Sequence, residues 1–436
     1  RYGGASALFA EWSKNTAESC FTYSLIDADD VRRLYAEEDK KTLSELERES
    51  VSEDKAAVIT DYNGGDKRLT VPERLGGYPV AGISERAFEN AKFETAVLPR
   101  GIEYVADFAF LYCDGLKELC LSDDIVFFSE NAMGYNPRVS TLRINAVLPP
   151  AYIRTENGQV ANKLELLETC ESEKPKLILF AGCSVWYGFD ANYAYDLLGG
   201  RYEVFNTGVI GGVCALYQIA LISSYLKSGD MFVHNPEPGA VHQLFVLNNF
   251  DGRVFTTLEC NYDFVARLDL TEYDEVWKGF SKYLSGKLVY MSSDDFVPSD
   301  YSDGLDYMDA RGNNISERRG GFDNEGLAYE ILSTVQFENS LAKRRLYECY
   351  SALSGMGVGV FVGFGPVNSD GLDYSRGYEL ERAIRAAAGD KAAVYMTFDD
   401  CVMDKEYFYD TNYHPSTAGS KIYIERVVQR LKNQIK

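Results

Sequence analysis

Leu177-Ile178-Leu179-Phe180-Ala181-Gly182-Cys183-Ser184 is the stretch on which the fold turns. Its four apolar residues follow a charged segment and end at a glycine, the pattern of a short buried strand. Ser184 then falls at the carboxyl end of that strand. The same rhythm recurs downstream. Ala191 to Leu198 is helix-like, Tyr202 to Phe205 strand-like, and Cys214 to Leu226 helix-like. Met231 to Val233, Val358 to Phe364 and Ala392 to Phe398 read as further strands, and Ser416 to Leu431 as the closing helix. Short apolar strands separated by helices predict an α/β domain, its parallel sheet covered on both faces. Ligands of such sheets bind beyond the carboxyl ends of the strands. Ser184, Gly208, Asn235 and Asn368 all fall at those ends, so they are expected to share a site.

Upstream the periodicity changes. The pairs Ala87-Phe88, Ala109-Phe110 and Ala132-Met133 recur at spacings of 22 and 23 residues, with Ile83, Val105 and Phe128 in step before them. Leu98, Leu121 and Ile144 follow at 23 and 23. A period in the low twenties suits one strand and a short turn per repeat, stacked as a solenoid. Leu148-Pro149-Pro150 ends it, because proline neither donates to a ladder nor continues a helix. The expected division is a polar helical segment over 1–55, a repeat module over 56–150 and an α/β domain over 151–436. Leu69-Thr70-Val71-Pro72, Gly77-Tyr78-Pro79-Val80 and Ala96-Val97-Leu98-Pro99 make the module resemble leucine-rich repeats of the BspA-like type. That type is common on bacterial surface proteins, which implies a secreted or cell-surface chain whose leader has been removed, and a protein or glycan ligand for the repeats.

The 436 residues are 46% hydrophobic, enough for a sizeable core, and carry a formal charge of −22. That charge opposes nucleic acid or an anionic membrane as the main partner. The uncharged stretch from Phe205 to Leu226 is interrupted by Asn206, Thr207, Gly208, Gly211, Gly212 and Gln218. It reads as strand, turn and buried helix, not as a membrane span. Nine cysteines without a CxxC pair favour isolated thiols over a metal ribbon or a disulfide framework. Cys183, beside Ser184 on an extended backbone, is expected to pack under the sheet.

A serine hydroxyl becomes a nucleophile when a base takes its proton. Of the three histidines, His414 has the best context, just ahead of a helix start and four residues after Asp410. Asp410 would hold one ring nitrogen while the other receives the serine proton. The oxyanion of the tetrahedral intermediate needs aimed donors. The Ser184 amide, the Gly208 amide and the Asn235 side chain are the candidates, with Asn368 as a substitute for Asn235.

These residues carry a second resemblance. Gly182-Cys183-Ser184, Asn206-Thr207-Gly208 and Thr411 to His414 make residues 175–436 resemble an SGNH hydrolase, the GDSL esterase family. The resemblance implies a three-layer α/β/α sandwich, Ser184 as nucleophile, His414 as base, Gly208 as an oxyanion donor, and no metal or organic cofactor. The chain departs from the family where Thr411 stands at the usual acid position. It departs again where the third block is reduced to His234-Asn235-Pro236-Glu237. The Gly-x-Ser-x-Gly elbow of α/β-hydrolases is absent, since Trp186 takes its last position. The expected activity is hydrolysis of acyl esters, with acetyl groups on a small molecule or polysaccharide as the expected case. Acyl transfer by the same residues and a non-catalytic surface-binding role are the alternatives. The insertion before the fourth strand is rich in tyrosine, as at Tyr301, Tyr307 and Tyr329, and suits a lid or plain surface, with Gly320-Gly321 as a hinge.

Overall fold

A computed structural model describes residues 15–36, 38–122, 124–134, 136, 141–145, 159–209, 215–238, 277, 281, 305–321, 341–371 and 374–435. The chain divides into two compact units. One is Arg1–Pro149 with Phe250–Val297; the other is Pro150–Asn249 with Pro298–Lys436.

Among the described residues, the first unit places a strand within the span where a helix is expected. β1 (Phe21–Asp27) pairs antiparallel with β2 (Lys55–Tyr62). Between them, α1 (Leu43–Glu49) starts at a capping box formed by Thr42 and Glu45. The charged run at 37–41 suggests a solvated helix, but the alternating Phe21-Thr22-Tyr23-Ser24-Leu25 ahead of it suits a ladder better. Ile26, Val31, Leu34 and Leu46 are buried with Val58 in one apolar cluster. Of the expected 1–55 helical segment, Ala28–Leu34 and Leu43–Glu49 are helical, while β1 joins the repeat sheet.

The repeats then form two parallel ladders. β3 (Arg68–Thr70) and β4 (Arg74–Leu75) lead into β5 (Tyr78–Ile83), β6 (Thr95–Val97), β7 (Tyr104–Val105), β8 (Glu118–Ser122), β9 (Phe127–Phe128) and β10 (Thr141–Asn145). One sheet orders β1-β2-β5-β7-β9 and the other β10-β8-β6-β3. Ile83 lies beside Val105, and Val105 beside Phe128. Thr95, Glu118 and Thr141 are likewise in register. The Phe88 amide donates to the Ala109 carbonyl and the Phe110 amide to the Ala132 carbonyl, both at 2.9 Å. The sequence period is thus the register of the solenoid. A single repeat cannot bury its apolar side; stacking puts Phe88 against Phe110 with ring centroids 5.1 Å apart. The first two turns also share backbone strain: Arg86 and Phe108, 22 positions apart, are both left-handed, with φ of 59° and 57°. Trp277, from the insertion, stacks on Phe128 at 5.5 Å, so part of the insertion serves the repeat unit and not the α/β domain.

The second unit begins with α2 (Gln159–Glu168), inside a stretch whose charge suggests a boundary. Then come β11 (Lys176–Phe180), α3 (Cys183–Gly188), α4 (Ala191–Leu197), β12 (Glu203–Asn206), α5 (Ala215–Ser223) and β13 (Met231–His234). α6 (Leu341–Gly355), β14 (Gly359–Val362), β15 (Val367–Asn368), α7 (Tyr374–Ala388), β16 (Ala393–Val394), β17 (Val402–Met403) and α8 (Thr417–Lys432) complete it. β12-β11-β13-β14-β16 form one parallel five-stranded sheet. Leu177, Ile178 and Leu179 are wholly buried in its centre. α8 packs on α3 and α4, while α6 packs on α5 and α7. Ser416 caps α8 by accepting the Gly419 amide at 3.1 Å, which fixes the chain direction just after His414. Among the described residues, no helix is long and apolar enough to cross a membrane.

Candidate active site

Ser184 lies in the first turn of α3, directly after the interior strand β11. The backbone at Cys183 is helical, not extended. The Cys183 thiol is consequently half-buried and points toward Glu237, 3.7 Å from Oε1. This replaces the expectation of a thiol beneath the sheet.

His414 is held by a tightly closed loop. The Tyr409 amide donates to the His414 carbonyl at 2.9 Å. The Thr411 hydroxyl accepts the His414 and Tyr413 amides at 3.0 and 3.3 Å. Thr411 therefore builds the turn, and the carboxylate comes from one residue earlier: Asp410 Oδ1 is 2.8 Å from His414 Nδ1. A carboxylate only accepts, so Nδ1 carries the proton in the neutral ring and Nε2 keeps its lone pair. Asn368 buttresses the loop, its amide donating to the Asn412 carbonyl and its Nδ2 to Asn412 Oδ1. Arg318 Nε donates to the Pro415 carbonyl at 3.3 Å.

The serine and histidine segments meet at one end of the sheet. The Tyr187 ring, on the helix that carries Ser184, is 4.3 Å from the His414 ring. Ser420 Oγ donates to the Tyr187 carbonyl at 2.7 Å. Burial pushes the Tyr413 hydroxyl up to about 12, and nearby Cys183, Glu237 and Asp410 add to the shift. Ser184 Oγ and His414 Nε2 are both buried and neither makes a hydrogen bond. Ser184 has no exposed surface, and His414 is 9% exposed.

The three candidate oxyanion donors have other partners. The Ser184 amide donates to Glu237 Oε1 at 2.8 Å. The Gly208 amide donates to Asn206 Oδ1 at 2.9 Å. Lacking a side chain, Gly208 lets its backbone approach α3: a Cβ there would lie 2.6 Å from the Trp186 nitrogen. Asn235 is wholly buried between two tyrosines, its Nδ2 donating to Tyr423 Oη at 2.7 Å while its Oδ1 accepts from Tyr395 Oη at 2.8 Å. Asn235 is thus a clasp inside the core. At the expected hinge, a Cβ on Gly320 would collide with the Glu406 carbonyl, while Gly321 has open space and a φ of 98°. Tyr301 and Tyr329 lie outside the described residues.

Two residues without a role in the sequence reading organise this end. Asn206 Nδ2 donates to the Val185 and Phe189 carbonyls at 3.0 and 2.7 Å, tying β12 to the serine helix. Lys163, wholly buried on α2, donates from Nζ to the Asn206 and Gly312 carbonyls, each at 3.0 Å, and lies 4.2 Å from the Trp186 ring. Burial pushes this ammonium well below the usual lysine range, while Asp309 pulls it back. The signal was present: Lys163 shares a helix face with Val160, Leu164 and Leu167, all buried.

No family model matches the chain. No curated protein matches it either. Among solved structures, it is similar to a leucine-rich repeat protein from Bacteroides capillosus, 18% identical over 22% of this chain and 91% of that one, with a TM-score of 0.18. It is also similar to a leucine-rich repeat protein from T. pallidum, 16% identical over 38% of this chain and 61% of that one, with a TM-score of 0.19. A protein described as a candidate platelet activating factor from Streptococcus pneumonia is 11% identical over 64% of this chain and 93% of that one, with a TM-score of 0.34. These scores are too low for likeness alone to assign a fold or an activity.

Proposed function

We propose that the chain is a serine esterase of the SGNH type, a three-layer α/β/α unit in one chain with a leucine-rich repeat module. The observation that carries this reading is the Asp410–His414 pair, whose free Nε2 and the unbonded Ser184 hydroxyl are buried at one end of the parallel sheet. Such an arrangement supplies a base, a group that orients it, and an alcohol. Ser184 Oγ attacks the ester carbonyl carbon and gives its proton to His414 Nε2. The carbon–oxygen bond to the alcohol breaks, and the departing alcohol takes that proton. Water, deprotonated by the same nitrogen, then releases the acid and restores Ser184. Asp410 stabilises the imidazolium formed in each half. Acyl groups on carbohydrate are the expected esters on the resemblance to SGNH hydrolases, and a cell-surface location is the expectation from the repeats.

Ser184 has no exposed surface, so this chemistry needs an opened state. The same enclosure, with the Ser184 amide already occupied by Glu237, favours a second reading: a binding protein on a hydrolase-like scaffold. A fluorophosphonate probe separates the two. Labelling of the full chain that disappears in Ser184→Ala supports the esterase. A wild type that neither labels nor cleaves p-nitrophenyl esters supports the scaffold.

A further inference from the structure

Glu237 is 6% exposed, and among the described residues no cation pairs with it. Its Oε1 takes the Ser184 amide and faces the Cys183 thiol. Its carboxylate lies flat on Gly182, where a Cβ would come within 2.6 and 2.9 Å of the two oxygens. From the other side Gly365 closes in, where a Cβ would be 2.8 Å from Ser184 Oγ and 3.5 Å from the Glu237 Cα. Two glycines thus leave room for one hydroxyl and one carboxylate, side by side. The Tyr413 and Tyr423 hydroxyls feel the same carboxylate, and Asp410 lies beyond Tyr413. Every one of these neighbours is neutral or acidic.

A buried carboxylate that no described cation neutralises is costly, and a cation brought to it gains more than it would in water. Its place also matters. It holds the amide to which a developing oxyanion would bind, and its negative charge opposes that oxyanion. We propose that Glu237 selects esters whose acyl group carries an ammonium on the carbon next to the carbonyl, which makes the substrates aminoacyl esters. This rests on the serine-esterase reading. The ammonium draws the carboxylate off the Ser184 amide, and the freed N–H then receives the carbonyl oxygen. A neutral acyl group leaves Glu237 where it is. Recognition of the charge and readiness of the oxyanion donor are therefore one event. Glu237 only exchanges hydrogen-bond partners; the bonds made and broken remain those of the acyl transfer.

The test compares p-nitrophenyl glycinate with p-nitrophenyl propionate, in which a methyl replaces the ammonium, each corrected for spontaneous hydrolysis. The full-length wild type is expected to favour the glycinate about 10-fold in kcat/KM, the scale of one partly screened charge pair. In Glu237→Gln the ratio falls to about one, and the propionate rate rises as the opposing charge disappears. Fluorophosphonate labelling of the variant shows that it is folded. If it fails to label, Gly182→Ala displaces the carboxylate instead and is expected to give the same collapse of the ratio. A labelled wild type with a ratio near one, or a ratio unchanged in the variants, overturns the proposal and leaves the esterase standing. A wild type that neither labels nor turns over either ester overturns both.

Discussion

Replacing Asp410 by alanine is expected to lower kcat about 10- to 100-fold and to leave KM within about threefold. When Ser184 gives up its proton, an imidazolium forms with Asp410 Oδ1 2.8 Å from its Nδ1. With charge centres about 4 Å apart, the attraction is about 1 kcal/mol in bulk water and about 4 kcal/mol at an effective dielectric constant near 20. The Asp410 side chain is 46% exposed and that of His414 11%, so the pair lies between these limits. A loss of about 1.4–2.7 kcal/mol corresponds to the stated range. A fully enclosed triad aspartate is worth about 10⁴, so an exposed one is expected to contribute less. The assay is p-nitrophenyl acetate turnover together with the fluorophosphonate labelling rate at Ser184. A change under twofold would mean that Asp410 only closes the loop. A loss near 10⁴ would refute the use of exposure to scale the charge term.

Lys163→Met leaves the Asn206 and Gly312 carbonyls without their donor, at about 1–3 kcal/mol each. Denaturant unfolding should show a loss of about 2–6 kcal/mol, and labelling should slow because Asn206 holds the serine helix. Asn235→Ala strands the Tyr395 hydroxyl, takes one of two partners from Tyr423 Oη, which still donates to the Phe364 carbonyl, and should cost about 1–3 kcal/mol, with the labelling rate per folded molecule kept within about threefold. A larger kinetic loss would return Asn235 to the oxyanion site. The Lys55 ammonium, with Ser50 and the Val51 and Ser52 amides, holds Asp27 well below the usual carboxylate range. The unfolded carboxylate titrates at about 3.9. This contribution is therefore complete above that pH and is lost as pH falls through the lower folded value. Acid titration of Asp27→Asn should show a flatter loss of stability on that limb than the wild type.

What the sequence made legible was what depends on local period. The strand before Ser184, the helix after Ser416 and the repeat of 22 and 23 residues all follow from apolar spacing, and each reappears as register or burial. β1 was not legible, because its alternation is brief and the charged run beside it mimics a helix face. The partners of the amides were not legible at all. Glu237 lies 53 residues from Ser184, and Tyr395 and Tyr423 lie 160 and 188 from Asn235. Long-range pairing of this kind leaves no mark in a local window. The segment over 305–321 is the same case. Its Arg311 carbonyl accepts the Asn206 amide and its Arg318 supports Pro415, so it braces both the serine and the histidine segments without any motif of its own.

These partners bear on the chemistry through one comparison. A donor already satisfied inside the protein stabilises an oxyanion only after its first partner is removed, and each donor withheld costs about 10²–10³ in rate. The Gly208 amide is held by Asn206, itself fixed through Lys163 and two carbonyls of the serine helix, so freeing it would undo the helix that presents Ser184. Freeing the Asn235 side chain would strand the buried Tyr395 hydroxyl and take a donor from that of Tyr423. The Ser184 amide is different. Its partner is one side chain reaching across from beyond the end of β13, and rotation of that side chain breaks no bond between two backbone groups. If the site performs acyl transfer, the oxyanion donor is therefore the Ser184 amide, and the position of Glu237 decides when it is available.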